Sequence, residues 1–216
     1  MDKNKYFTVI IPTLWKCSRL NQTLQELNDC RFVGEIILID NTSNDKPIND
    51  LNKLNHILEG YNTYVTAPFN KGVKIAQYDK LLILNDDTWF DWDVLEILSD
   101  YINPQTGMIG ISKEGYYIAE TKTLSLIPII HRPLAYACAF FIHKESWISI
   151  PEEFKIYCND DWLFVKNRQA NKTNYVIDGL KINGWISLTS DDSTLAPEIE
   201  SIKNNDLQLK VKYELF

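Results

Sequence analysis

Leu81–Asp87 reads LLILNDD: four apolar residues in a row, then an amide and two acids. A run that is apolar throughout has no polar face, so a strand built from it must be covered on both sides. Its abrupt end puts three oxygen-bearing side chains, Asn85, Asp86 and Asp87, where that strand would leave the interior. Earlier in the chain, Tyr6–Pro12 (YFTVIIP) and Glu35–Asp40 (EIILID) have the same character, the first stopped by proline and the second by Asn-Thr-Ser-Asn-Asp. Tyr61–Thr66 (YNTYVT) predicts a weaker strand turning at Ala67-Pro68, and Met108–Ile111 predicts a fifth. Between these runs the spacing is helical. Leu20, Leu24 and Leu27 recur at i, i+4, i+7; Val73, Ile75 and Ala76 follow Asn70-Lys71-Gly72; Val94, Leu95 and Leu98 follow Asp91-Trp92-Asp93, a helix start with acids to cap it. Continuous apolar strands alternating with helices imply an α/β fold with a mostly parallel central sheet.

The second half changes character. Gly115–Ala119 and Ala135–Ile142 read as strands separated by a loop-rich stretch with Pro128 and Arg132-Pro133. Asp160–Gln169 reads as a helix, Asn174–Ile177 as a strand and Pro197–Asp206 as a last helix. With no linker-like tract, residues 1–216 are expected to form one domain, divided at about residue 111 into a nucleotide-type half and an acceptor-type half.

Composition narrows the function. The 216 residues are 45% hydrophobic and 24% charged, enough for a substantial core and unlike a disordered chain. Lys and Arg number 22 against 29 Asp and Glu, a formal charge of −7, and the cations do not cluster, so no nucleic acid is expected as a partner. No apolar run reaches the ~20 residues of a membrane span, and the N-terminal residues lack a signal-peptide core, which points to a soluble cytoplasmic protein. Cys17, Cys30, Cys138 and Cys158 are far apart with no CxxC, which argues for reduced thiols and against a zinc knuckle.

In open parallel sheets, ligands bind beyond the carboxyl ends of the strands. Those ends deliver Thr13, then Asp40 and Asn41, then Asn85, Asp86 and Asp87. After the first strand there is neither GxGxxG nor GxxxxGK[ST], so no glycine loop cradles a phosphate. A divalent cation held by carboxylates is the other way to neutralise a diphosphate. The competing reading is that Asp86-Asp87 only ends a strand and caps a helix. Trp89, Trp92, Trp162 and Trp185 suit either sugar stacking or the core, His56 and His143 read as structural, and Asp191-Asp192 reads as a solvated loop.

Taken in order, VIIPT (Val9–Thr13), ILIDN (Ile37–Asn41), Asn70-Lys-Gly and LLILNDD (Leu81–Asp87) resemble the nucleotide-sugar half of GT-A glycosyltransferases, most of all the family 2 group. AYACAFFIHKESW (Ala135–Trp147) and Asn159-Asp160-Asp161-Trp162-Leu163 resemble that family's later motifs, the second its acidic pair at the start of the base-bearing helix. The resemblance spans about residues 6 to 170. It implies that Thr13 and Asp40 contact the base, that Asn41, Asn70 and Lys74 line the nucleoside pocket, and that Asn85 and Asp86 face ribose, donor sugar or metal-bound water. Asp87 would hold Mn²⁺ or Mg²⁺, and Asp161, with Asp160 as its neighbour, would be the catalytic base. Arg132, Tyr136, Ala137 and Trp162 are weaker candidates for sugar contact, and His131 lies in the same loop as Arg132. The family's first DxD acid is an Asn here, and its late His ligand has no counterpart after His143, with Asp191, Asp192 or water as the substitute. The implied activity is metal-dependent, inverting transfer from a nucleotide-diphosphate sugar, a UDP-sugar for preference, to a glycan, either alone or as a module of a larger glycosyltransferase. A sugar-phosphate nucleotidyltransferase shares the architecture, although Pro12–Arg19 lacks the glycine of its triphosphate loop. A catalytically silent sugar- or nucleotide-binding module is the third reading.

Overall fold

Ten strands and five helices are arranged around one large sheet in the computed structural model, which describes residues 5–43, 50–120, 123–184 and 196–216. In chain order they are β1 (Phe7–Thr13), α1 (Leu20–Asp29), β2 (Val33–Asp40), β3 (Leu54–Leu58), α2 (Thr66–Ile75), β4 (Lys80–Leu84), β5 (Thr88–Trp89), α3 (Val94–Ser99), β6 (Thr106–Gly110), β7 (Ser125–Ile129), β8 (Ala139–His143), α4 (Asn159–Gln169), β9 (Thr173–Asp178), β10 (Asn183–Gly184) and α5 (Ala196–Lys212). The large sheet runs β3-β2-β1-β4-β8-β6-β9-β7. Its first four strands are parallel, β8 is antiparallel to both its neighbours, β9 is parallel to β6, and β7 closes the edge antiparallel to β9.

The unbroken apolar runs resolve into two alternating faces. Phe7, Val9 and Ile11 of β1, with Leu82 and Leu84 of β4, pack on α1 and α3; Ile10, Leu81 and Ile83 face α2 and α4. Every residue of β1 is buried, as a strand covered on both sides requires. The chain steps outward from β1 to β2 and β3, then crosses to β4 on the other side of β1. That reversal leaves a crevice between the carboxyl ends of β1 and β4, the switch point at which open sheets bind ligands.

Several expected elements shift. The third strand is Leu54–Leu58, and Tyr61–Thr66 is instead the turn into α2. Ala67-Pro68 lies in the first turn of α2, where proline's missing N–H costs nothing, and Asn70-Lys71-Gly72 is inside the helix rather than opening it. Gly115–Ala119 does not form a strand; Lys113–Tyr116 is a 3-10 turn. Ala135–Ile142 divides into a 3-10 turn at Tyr136–Cys138 and β8, because Ala135 takes a left-handed backbone at φ 63. Ser125–Ile129, expected as loop because of Pro128, is an edge strand, a position that tolerates proline. The last helix extends to Lys212. No helix among the described residues is long and apolar enough to cross a membrane.

Candidate functional site

A cavity of about 520 Å³ opens over the switch point. The carboxyl end of β1 contributes Thr13 and that of β4 contributes Asn85, Asp86 and Asp87. Thr13 Oγ1 donates to Asp86 Oδ2 at 2.5 Å and accepts from the Trp15 amide at 2.8 Å, so the crevice walls are tied together. Burial pushes the Asp86 carboxyl above its ordinary pKa, with the Thr13 bond opposing it.

Asp87 is held from behind by backbone. Short β10 pairs with β5, placing Gly184 opposite Thr88 at φ +134. A Cβ on Gly184 would sit 2.2 Å from the Asp87 carbonyl oxygen. Gly184→Ala is therefore expected to cost about 1–3 kcal/mol, the range for a strained backbone conformation. A urea unfolding midpoint unchanged by the substitution would contradict that.

On the far wall, α4 presents the acid pair. Asp160 lines the cavity, whereas Asp161 does not. One guanidinium serves both: Arg132 Nη1 lies 2.9 Å from Asp160 Oδ2, and its Nε and Nη2 donate to Asp161 Oδ1 and Oδ2 at 2.8 and 3.3 Å. The Asp160 contact is off the line a hydrogen bond needs, and that oxygen has no other donor among the described residues. Lys210 Nζ adds a second cation to Asp161 at 3.1 Å. The two acids consequently titrate apart. Burial raises Asp160, with Arg132 opposing it and Asp161 reinforcing it. Burial acts upward on Asp161 too but is outweighed by Arg132 and Lys210, which hold it below the ordinary carboxylate range.

The remaining expected residues sort by position. Asn41, Arg132, Tyr136 and Ala137 line the cavity with those already described. Asn41 is occupied by the neighbouring loop, donating to Tyr64 O at 2.6 Å and accepting from Thr63 Oγ1 at 2.6 Å. Asp40 is fully buried and outside the lining, accepting from Trp15 Nε1 and from the Thr42 amide and hydroxyl, with His56 Nε2 at 3.2 Å. Its carboxylate thereby braces the loop after β1. Asn70 likewise points away from the cavity, bonded to the backbone of Ile150 and the indole of Trp147. Lys74 is exposed on α2, and Trp162 packs edge-on to Tyr213 with Lys166 over its ring. Trp92 is core, Trp89 carries Arg19 over its ring, and His131 is exposed outside the cavity. Trp185, Asp191 and Asp192 lie outside the described residues.

Residues not anticipated also line the cavity: Tyr64, Lys113, Cys138, Cys158, and Glu198 and Ile199 from α5. Tyr64 OH donates to Glu198 Oε1 at 2.6 Å across the mouth. Burial raises the two thiols, Cys138 to about 11 and Cys158 to about 12. Tyr64, Ala135 and Cys158 are non-glycine residues with positive φ, and such strain gathers at functional sites.

A cation would meet hard oxygen donors at Asn85, Asp86 and Asp87. No group of three His, Cys, Asp or Glu converges among the described residues. That donor set fits an ion of the Mg²⁺ kind, which is held by one or two carboxylates and completes its shell with water and ligand oxygens.

A parallel half with acids at its switch point, joined to a mixed half with an acid pair across one cavity, is the GT-A arrangement. The family model for glycosyl transferase family 2 matches residues 8–147, and the chain belongs to that family. No curated protein matches it. Among solved structures, the crystal structure of S. aureus TarS 1-349 superposes with a TM-score of 0.63 at 15% identity, covering 96% of this chain and 72% of that one. The same protein in complex with UDP gives 0.64 at 16% identity, again over 96% and 72%. Its complex with UDP-GlcNAc gives 0.59 at 18% identity, over 79% and 55%. The chain spans 43% of the longer S. aureus TarS structure.

Proposed function

We propose that the chain transfers a sugar from a UDP-sugar to a glycan hydroxyl, with inversion at the anomeric carbon and with Mn²⁺ or Mg²⁺ held at Asp87. The observation that carries this reading is one cavity with oxygen donors on one wall and a buried carboxylate, Asp160, on the other. The fold shared with structures in complex with UDP and UDP-GlcNAc supports the donor class.

The acceptor hydroxyl attacks the anomeric carbon from the side of α4, and Asp160 takes its proton as the new C–O bond forms. The bond to the diphosphate breaks, and its electron pair leaves on the diphosphate oxygen. Asp160 suits the base better than its neighbour, because it is the member of the pair that lines the cavity, and burial raises its pKa whereas Arg132 and Lys210 hold that of Asp161 down. Asp161, anchored by Arg132 and Lys210, is the fixed charge that orients the guanidinium. The base proposed here is therefore Asp160, the neighbour of the Asp161 that the resemblance implies. Arg132 is taken up by the acid pair, leaving Lys113 as the other cationic side chain in the lining. Asp87 and Asn85 would hold a cation that supplies charge neutralisation at the departing diphosphate.

Incubation with Mn²⁺ and a panel of nucleotide sugars, read by mass spectrometry, tests the proposal. UDP release from one UDP-sugar is expected, with Asp87→Asn weakening manganese-dependent UDP binding at least tenfold, the low end of losses at metal sites. Pyrophosphate release from UTP plus a sugar 1-phosphate, or binding without turnover, would overturn it.

A further inference from the structure

α5 lies outside the matched family region, yet it grips the segment that carries the acid pair. Asp206, in the middle of α5, is completely buried, and its carboxylate receives three successive backbone amides: Lys155 at 3.2 Å, Ile156 at 3.0 Å and Tyr157 at 2.8 Å. A run of amides pointing at one carboxylate forms a concave anion seat, and charge-assisted bonds of this kind are about twice as strong as neutral ones. The other side of that segment is fixed as well: the Lys155 carbonyl accepts from Val65 and Thr66 at the start of α2. The next residues are Cys158, at φ 60, and the first turn of α4. One turn beyond Asp206, Lys210 pairs with Asp161. Residues four apart share a helix face, so a single face of α5 seats the segment and holds Asp161.

We infer that α5 selects which of the two adjacent acids faces the cavity, with Asp206 and Lys210 as positioning residues. Asp206 sets the path of residues 155–157 into α4. Lys210 retains Asp161 outside the lining, leaving Asp160 inside it. Neither side chain lines the cavity. The inference rests on Asp160 being the base.

The test uses the full chain and the donor sugar selected by the panel, and follows kcat, KM, UDP affinity and amide exchange. Asp206→Ala is expected to speed exchange of the Lys155–Tyr157 amides at least tenfold and lower kcat at least tenfold, with UDP affinity held within twofold. Asp206→Asn, which keeps the volume and one acceptor oxygen, is expected to fall between, and carries the test if the alanine variant does not fold. Lys210→Met is expected to lower kcat severalfold in the native background and to have no further effect on top of Asp161→Asn, since its action passes through Asp161. Lys203→Ala, on the exposed side of α5, serves as the control with unchanged kcat. A folded Asp206 variant with faster exchange and native kcat, or an equal Lys210→Met effect in both backgrounds, would overturn the inference. If Asp160→Asn itself keeps native kcat, the base assignment has failed. If Asp160→Asn is inactive while the α5 variants are native-like, only the role of α5 has failed.

Discussion

Asp160→Asn is expected to lower kcat for sugar transfer by about 10²–10⁴-fold, the usual contribution of a positioned general base. UDP affinity should stay within about threefold, because the residues proposed for the nucleotide side, Thr13 and Asn85–Asp87, belong to the ends of β1 and β4 and not to α4. The amide keeps the shape of the side chain and removes only its capacity to take a proton. Asp161→Asn makes the contrasting case. It leaves Arg132 to Asp160 alone, which lowers the basicity of Asp160 and is expected to reduce kcat tenfold or less. Stopped assays of UDP release separate the two, and a larger loss in Asp161→Asn would return the base to Asp161.

The native pH dependence follows from the same geometry. Asp160 is faced by Arg132 and Asp161, with Tyr136 and Cys138 also within its field. Its pKa is raised above the usual carboxylate range, so kcat falls as pH drops through that value, at a higher pH than an ordinary Asp would give.

Much of this frame was legible because it depends on near neighbours in sequence. LLIL followed by Asn-Asp-Asp requires a buried strand with acids at its exit, and β4 with Asn85–Asp87 on the cavity wall is that arrangement. Thr13 was placed for the same reason. Asp40 ends its strand as expected, but the left-handed turn at Trp15 brings an indole N–H onto it, and no local pattern foretells that contact. The resemblance implies Asn70 and Lys74 for the pocket, and both fall within α2, where Asn70 is bonded to Ile150 and Lys74 is exposed. The register of the acid pair was ambiguous by one residue because both acids fall in the first turn of α4. What distinguishes them is Lys210, about fifty residues later in the chain, together with Arg132. Glu198 and Asp206 share that cause: their meaning lies in α5 reaching back to Tyr64 and to residues 155–157. Contacts of such separation leave no periodicity to read.

Arg132→Met is expected to shift the pH dependence of stability that the acid pair contributes toward that of its raised member, Asp160. In the native chain, Asp161 has a depressed pKa, so it stabilises the fold above its unfolded value and that stabilisation is lost as pH falls through the folded value. Without the guanidinium, burial and the repulsion of Asp161 raise the Asp160 pKa further, opposed only by the backbone amides at the start of α4. A raised carboxylate has the opposite sign: the fold is most stable where it is protonated, and stability is lost as pH rises through the folded pKa. Methionine preserves most of the apolar stem, so the change isolates charge. Removing one partner from a buried ionic cluster costs about 3–5 kcal/mol, and with the Arg132 side chain 25% exposed the low end, about 3 kcal/mol, is expected at pH 7.5. The deficit should shrink as pH falls and Asp160 takes up its proton. Lysine is a poor substitute, since one ammonium cannot reproduce a planar fork that reaches Asp160 through Nη1 while Nε and Nη2 engage Asp161. Urea unfolding of the native chain and Arg132→Met as pH is lowered from 7.5 decides the matter. A deficit that stays equal as pH falls would assign the loss to packing, and the two acids would then owe their separation to Lys210 alone.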